Sequence, residues 1–227
     1  MPFKPSYLAI VDDHVLFRKT LKNYLSEQRN IQVVIQTSTI LDLLNKLKGV
    51  SVDILLMDIF IPGLNGNDAV KEIRNLYPAV KILILSLSTD MDLIGELLDS
   101  GIHGYVSKKD EPEELLHAIQ CVSDNQIYRN LLFTEALYRN KQNNIKAYSQ
   151  EHSVELNERE KKVLQLIWEE KSNKEIADKL FIGLRSVEKI RQDLKEKIGA
   201  KSTVGLLKYG INRKIIETGT YNTGWVK

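Results

Sequence analysis

Residues 53–66 read DILLMDIFIPGLNG, and the reading of this stretch decides the fold. Four apolar side chains, Ile54 to Met57, run without a break into Asp58, and Pro62-Gly63 turns the chain soon after. A short continuous apolar run bounded by turn residues reads as a strand buried on both faces, as in a parallel sheet covered by helices. A carboxylate at the lip of such a strand costs desolvation energy unless something pairs with it. Asp58 is therefore either a satisfied structural residue or the centre of a site.

Working outward, similar runs occur at YLAIV (7–11), IQVVI (31–35), KILIL (81–85) and HGYVS (103–107). Amphipathic stretches separate them, with Val15, Leu16, Lys19, Leu21 and Leu25 in one and Ala69, Val70, Ile73 and Leu76 in another. Residues 111–122 give a fifth helix, with Pro112 where a first helical turn accepts it. Five βα units in succession predict an α/β domain with a (βα)5, flavodoxin-like parallel sheet. With strand order 2-1-3-4-5, the tips of strands one, three, four and five are contiguous, and ligands bind beyond such tips. Those tips deliver Asp12-Asp13, Asp58, Ser86 and Lys108, whereas strand two ends in QTST with nothing ionisable.

Three carboxylates gathered at one edge repel one another, by about 4 kcal/mol per pair at 4 Å and an effective dielectric near 20. A cation must offset that, and all-oxygen ligation without a His or Cys cluster favours Mg2+. Lys108 adds a second positive group facing Asp58. Carboxylate, metal, lysine and hydroxyl around one point suit phosphoryl transfer onto an aspartate, which is mostly positioning and charge neutralisation. Asp58 is then the nucleophile, Asp12 and Asp13 hold the metal, and Ser86 bonds the new phosphoryl oxygens. Taken singly, each residue has a plainer role: a helix N-cap for Asp12-Asp13, a solvated surface for Lys108 and Lys109, a bystander for His14. The conjunction at four adjacent tips is what points to a site.

The chain has 227 residues, 43% hydrophobic and 27% charged, enough for two soluble domains of ordinary size. No apolar run reaches the roughly 18–20 residues of a membrane span, and the N-terminus carries no signal-peptide pattern, so no membrane partner and a cytoplasmic location are expected. A single cysteine, Cys121, excludes an internal disulfide and a Cys-based zinc cluster. Residues 1–125 hold 12 Lys+Arg against 17 Asp+Glu, and residues 126–227 hold 20 against 13, nets of −5 and +7. Such asymmetry suggests that the second half meets a polyanion.

The expected organisation is a first domain over 1–125, a partly helical linker over 126–153, a second domain over 154–217 and a tail over 218–227. The second domain is all-α, four short helices with no convincing strand. Within it, NKEIADKLFIGLRSVEKIRQDLKEKIG (173–199) has a helix-turn-helix outline. Ile176, Ala177 and Leu180 face inward from its first helix, Gly183 falls in the turn, and Val187, Ile190, Leu194 and Ile198 stripe the second. The opposite face carries Arg185, Lys189, Gln192 and Lys195, suited to the phosphates of double-stranded DNA.

The first half resembles the receiver domain of bacterial two-component response regulators over residues 5–123, with VDDH (11–14), LMDIFIPGLNG (56–66), LSLS (85–88) and GYVSKKD (104–110) in order and at family spacing. The resemblance implies Asp58 as phosphoacceptor and Asp12 and Asp13 as Mg2+ ligands, with the main-chain carbonyl of Phe60 completing the metal site. It makes Ser86 the switch hydroxyl, Tyr105 the aromatic that turns inward with it, and Lys108 the lysine on the phosphoryl group. Phe60 is bulkier than the residue many relatives carry there, and its ring is expected to hinder the water that hydrolyses the aspartyl phosphate.

Residues 154–216 are similar to the output domain of regulators of the NarL/LuxR (FixJ) type, through LNEREKKVLQLI (156–167) and NKEIADKLFI (173–182). Two departures stand out. The family usually has Ser and Thr just before Val187, where this chain has Gly183-Leu184-Arg185-Ser186, and commonly His at Ile190. The resemblance implies base reading by Glu188, Lys189 and Gln192, with Arg185, Ser186 and Lys195 beside them; the acidic Glu188, where many relatives are basic, prevents borrowing a base preference. The resemblance implies a transcription regulator phosphorylated by a sensor histidine kinase, dimerising through its last helix (about 202–215), with RNA polymerase as a further candidate partner. It implies no enzyme beyond self-phosphorylation and self-dephosphorylation at Asp58. Two alternatives stand beside it: a DNA-binding regulator whose acidic pocket is unused, and a phosphatase of the haloacid dehalogenase type. The latter carries a second acid two residues after its nucleophile, where this chain has Phe60.

Overall fold

In the computed structural model, which describes residues 5–138 and 154–216, Ile54–Met57 is a strand buried along its whole length. It is β3, at the centre of a five-stranded parallel sheet with β1 (Ser6–Val11), β2 (Ile31–Thr37), β4 (Lys81–Ser86) and β5 (Gly104–Ser107). The order is β2-β1-β3-β4-β5, as the sequence predicts. Helices α1 (Val15–Ser26), α2 (Ile40–Leu47), α3 (Gly66–Leu76), α4 (Met91–Ser100) and α5 (Pro112–Ser123) follow the strands in turn.

The strand period of two sorts the core into faces. Leu8, Ile10, Ile54, Leu56, Leu83, Leu85 and Val106 pack with Leu21 and Leu25 of α1 and with Leu115, Ala118, Ile119 and Val122 of α5. The intervening Ala9, Val11, Leu55, Met57, Ile82 and Ile84 point the other way and are equally buried. Covering both faces is why the strand sequences show no polar alternation.

The register sets the site. Val11 lies beside Met57, Met57 beside Ile84, and Ile84 beside Tyr105. The ladder continues past the strand ends: Asp58 N–H donates to Val11 O at 3.0 Å, Asp12 N–H to Thr37 O at 3.1 Å and Lys108 N–H to Ser86 O at 2.9 Å. After Asp58 the loop folds back tightly, since a Cβ on Gly66 would stand 2.7 Å from Ile59 O. Only glycine permits that approach, and Asn65 beside it caps α3 by accepting from Asn67 N–H at 2.9 Å.

Packing of this unit runs past the boundary expected at 125. Ile127, Tyr128, Phe133, Ala136 and Leu137 are buried, residues 131–138 are helical (α6), and the chain divides into two compact units between Asn140 and Lys141. The segment read as linker from 126 therefore belongs to the first unit through 138. The physical reason is the exposed edge of β5, which Tyr128 covers by donating its N–H to His103 O at 2.9 Å. The remainder of that linker and the tail over 218–227 lie outside the described residues.

The second unit contains α7 (Glu158–Trp168), α8 (Asn173–Leu180), α9 (Leu184–Ile198) and α10 (Thr203–Asn212). Capping boxes start α7 (Asn157 with Glu160) and α8 (Ser172 with Glu175). The core joins Val163, Leu164 and Ile167 of α7, Ile176 and Ala177 of α8, Val187 and Leu194 of α9, and Val204, Leu207 and Ile211 of α10. Ile190 and Ile198, expected in the same stripe, are only half-buried. Among the described residues no helix is long and apolar enough to cross a membrane.

Candidate functional site

The tips of β1 and β3 and the end of β5 meet at one lysine. Lys108 Nζ lies 2.5 Å from Asp58 Oδ2 and 2.8 Å from Asp12 Oδ2, and all three side chains are almost wholly buried. The second Asp58 oxygen, Oδ1, accepts from Phe60 N–H at 3.2 Å. Burial pushes the Lys108 ammonium down, but its hydrogen bonds to Asp12 and Asp58 outweigh burial and hold it above the ordinary lysine range.

One lysine does not balance the cluster. Asp12, Asp13, His14 and Asp58 each bring a ligand atom within 4.8 Å of the others, a group that could hold a metal ion. Asp13 Oδ1 is buried without a hydrogen bond, its near neighbour being His14 Nδ1 at 3.0 Å. An orphaned carboxylate oxygen beside two more carboxylates fits a hard divalent cation. Neither Asp12 nor Asp13 caps a helix here: the N-cap of α1 is His14, with no side-chain cap, and Asp12 Oδ1 accepts from His14 N–H at 2.8 Å.

Ser86, fully buried, accepts at Oγ from Ser88 N–H at 3.2 Å. Tyr105 is fully buried too, and its hydroxyl donates to Ser88 O at 2.6 Å. Burial pushes the Tyr105 phenol up, and the neighbouring Ser86 hydroxyl partly opposes that. Phe60, 60% exposed, stands at the mouth. Two contacts go beyond what the sequence predicts. The Phe17 ring of α1 lies 4.8 Å from Lys108 Nζ, a cation–π arrangement, and His14 joins the acidic cluster. Phe17 gives no signal in the sequence because an aromatic at helical spacing reads as core.

On the second unit, Arg185, Ser186, Glu188, Lys189 and Gln192 are exposed along α9, while Lys195 is half-buried. Gln192 donates one amide N–H to Glu196 Oε1 at 2.7 Å, a bond within the exposed face of the helix. Arg191, which the sequence does not single out, locks the helix in place. Its Nη1 donates to Asn173 Oδ1 at 2.5 Å at the start of α8, and its Nη2 to Thr203 Oγ1 at 3.3 Å at the start of α10. Desolvation lowers its pKa, partly opposed by Glu188, so Glu188 stabilises a half-buried cation from the exposed side.

Residues 8–120 match the response regulator receiver domain family, and residues 154–209 match bacterial regulatory proteins of the luxR family. The oxygen regulatory protein NreC of Staphylococcus aureus (strain MRSA252) is 31% identical over 214 residues, covering 92% of this chain and 99% of NreC. Among solved structures, the RcsB response regulator of Salmonella typhimurium covers 91% of this chain and 98% of its own at 23% identity, with a TM-score of 0.56. An RcsB–DNA complex gives 22% identity, a TM-score of 0.57 and coverage of 92% and 99%. The structural likenesses concern the fold; the end-to-end similarity to NreC carries the family. With both domains matched in order, the chain belongs to the NarL/LuxR-type response regulators, a receiver domain joined to a LuxR-type helix-turn-helix DNA-binding domain.

Proposed function

We propose that this regulator is switched by phosphorylation of Asp58 from a sensor histidine kinase and that the switch controls dimerisation and promoter binding in the cytoplasm. The observation that carries this reading is one buried lysine bound to both Asp58 and Asp12 at the carboxyl edge of the sheet. Asp58 attacks the phosphorus of the kinase phosphohistidine. An O–P bond forms as the P–N bond breaks, and the imidazole leaves neutral with the proton on its other nitrogen. Lys108, already paired with Asp58, neutralises charge gathering on the phosphoryl oxygens. Asp12, Asp13 and Asp58, with the main-chain carbonyl of Phe60, would hold Mg2+, which when bound neutralises the same oxygens.

Ser86 links the pocket to Tyr105. Its hydroxyl, which accepts from Ser88 N–H, would donate to a phosphoryl oxygen, and the Tyr105 hydroxyl is bonded to the carbonyl of the same Ser88, so the new group and the aromatic meet at one residue. At the output end, Arg185, Ser186, Lys189 and Lys195 contact phosphates, and Glu188, Lys189 and Gln192 face base edges. A two-fold dimer would set two α9 helices about 34 Å apart on DNA. RcsB is a DNA-binding member of the same fold, which supports this reading. The phosphatase alternative is disfavoured by Phe60, which stands where a second acid is needed.

Intact mass after incubation with Mg2+ and acetyl phosphate tests the switch. One phosphoryl group on the wild type and none on Asp58→Asn is expected. DNA binding that ignores the modification would support the regulator with an unused pocket instead.

A further inference from the structure

We propose that Asn130 couples the phosphorylation pocket to the segment leading into the DNA-binding unit, a proposal that rests on the reading that Asp58 phosphorylation governs DNA binding. Asn130 uses both ends of its amide. Nδ2 donates to the main-chain carbonyl of Tyr105 at 2.9 Å, and Oδ1 accepts from Phe133 N–H at 2.9 Å in the first turn of α6. The amide orientation follows from these partners, since flipping it would break both bonds. One planar group therefore spans from the strand bearing the switch aromatic to the helix that heads the connector.

The strand it grips is tied to the pocket on either side of the grip. The Tyr105 hydroxyl reaches Ser88 after β4, and Lys108, three residues further on, holds Asp58. The segment that precedes α6 is itself tied down. Tyr128 N–H donates to His103 O at 2.9 Å, and the Tyr128 hydroxyl donates to Glu114 of α5. A Cβ on Gly104 would stand 3.0 Å from Tyr128 Cβ and 2.6 Å from Leu83 Cδ2, so β5 is wedged between β4 and the connector at a glycine. Phe133 is fully buried. When Tyr105 or β5 moves, the carbonyl held by Asn130 moves with it. Either α6 follows, or a buried carbonyl loses its partner.

An amide is needed because one arm must donate and the other accept. A carboxylate at this position still caps α6 but has no proton for Tyr105 O. Asn130→Asp thus separates the coupling from the cap. Asn130 is a positioning residue in this scheme and touches neither the phosphoryl group nor DNA.

The test uses the full chain, with beryllofluoride and Mg2+ as a non-transferring stand-in for the phosphoryl group. It reads amide hydrogen exchange over 128–138, affinity for a DNA sequence selected with the wild type, and phosphorylation from acetyl phosphate. For Asn130→Asp, phosphorylation of Asp58 at the wild-type rate is expected, together with loss of the exchange response in 131–138. The beryllofluoride-induced gain in DNA affinity should fall about fivefold, which is about 1 kcal/mol, one neutral hydrogen bond. Wild-type responses in the variant overturn the proposal. So does a wild-type segment 128–138 that ignores beryllofluoride while DNA affinity rises, an outcome that leaves the phosphorylation switch standing. If beryllofluoride changes no DNA affinity in the wild type, the switch itself fails and the coupling with it. Should Asn130→Asp not fold, Asn130→Ser takes its place, since one hydroxyl oxygen caps α6 without a second arm for β5.

Discussion

Phe60 is held to Asp58, the proposed phosphoacceptor, by its own backbone, its N–H donating to Asp58 Oδ1 at 3.2 Å, while its ring stands exposed. The ring therefore cannot drift far from the atoms that a hydrolytic water must reach. Replacing it with a small polar side chain that also positions water, Phe60→Asn, should speed loss of the phosphoryl group about tenfold, or ~1.4 kcal/mol of barrier. Decay of the phosphorylated mass after removal of the phosphodonor measures this, and an unchanged rate rejects steric protection. At this scale the sequence was readable wherever chemistry coincided with a strand end. Asp12, Asp58 and Lys108 stand out together, because charges ending several adjacent buried strands must be offset by one another or by a cation. Phe17 and Asn130 do not stand out. One looks like any aromatic on an amphipathic helix, and the other is a single amide in the mixed stretch IYRNLLF (127–133), reaching back 25 residues to Tyr105.

Whole elements were legible for a related reason. A strand covered on both faces must be apolar throughout, so β1, β3 and β4 announce themselves, whereas Tyr128–Asn130 covers the edge of β5 through isolated bonds and leaves no periodic trace. Helix starts are marked more clearly than helix ends, and α8 shows what the marking is worth. Ser172 N–H donates to Glu175 Oε2 at 2.8 Å, and Ser172 Oγ accepts from Glu175 N–H at 3.3 Å. The backbone bond from Ser172 is the main cause holding the Glu175 carboxyl below its ordinary value, with the Ser172 hydroxyl next. A carboxyl with a depressed folded pKa stabilises the fold above its unfolded value, about 4.3, and that stability is lost as pH falls through the folded value. Wild type and Glu175→Gln should thus differ in melting temperature at pH 7 and converge as the pH drops below about 4. A gap that persists in acid would mean that the charge is not what the box uses. Ser172→Ala removes the other half and should cost about 1 kcal/mol.

Across the whole molecule, charge is divided between the two halves, with a net of −5 over 1–125 and +7 over 126–227. The acidic half contains the cluster that a divalent cation would balance, and the basic half carries an exposed face on α9. The two-domain plan was legible because the hydrophobic period changes from strand-and-helix alternation to helix alone, a change that does not depend on any one residue. The direction of the charge asymmetry along the chain was legible too, but not which basic residues meet phosphate and which meet bases. Glu188 shows why: its charge acts on the half-buried Arg191 of its own helix, so charge alone does not assign a contact. Salt dependence separates the two roles, because each phosphate contact releases condensed counterions whereas a base-edge contact does not. If Lys189 contacts phosphate, Lys189→Ala in the beryllofluoride-loaded full chain should reduce the slope of log K against log salt by about one while leaving the ranking of DNA sequences unchanged. If it reads a base, the slope should stay and the preference at one base pair should relax, costing about 1–3 kcal/mol of discrimination. Gln192 is uncharged and releases no counterion, so its loss should leave the slope in place, and Gln192→Ala beside Lys189→Ala in one titration series distinguishes a positioning contact from a reading one on the same helix face.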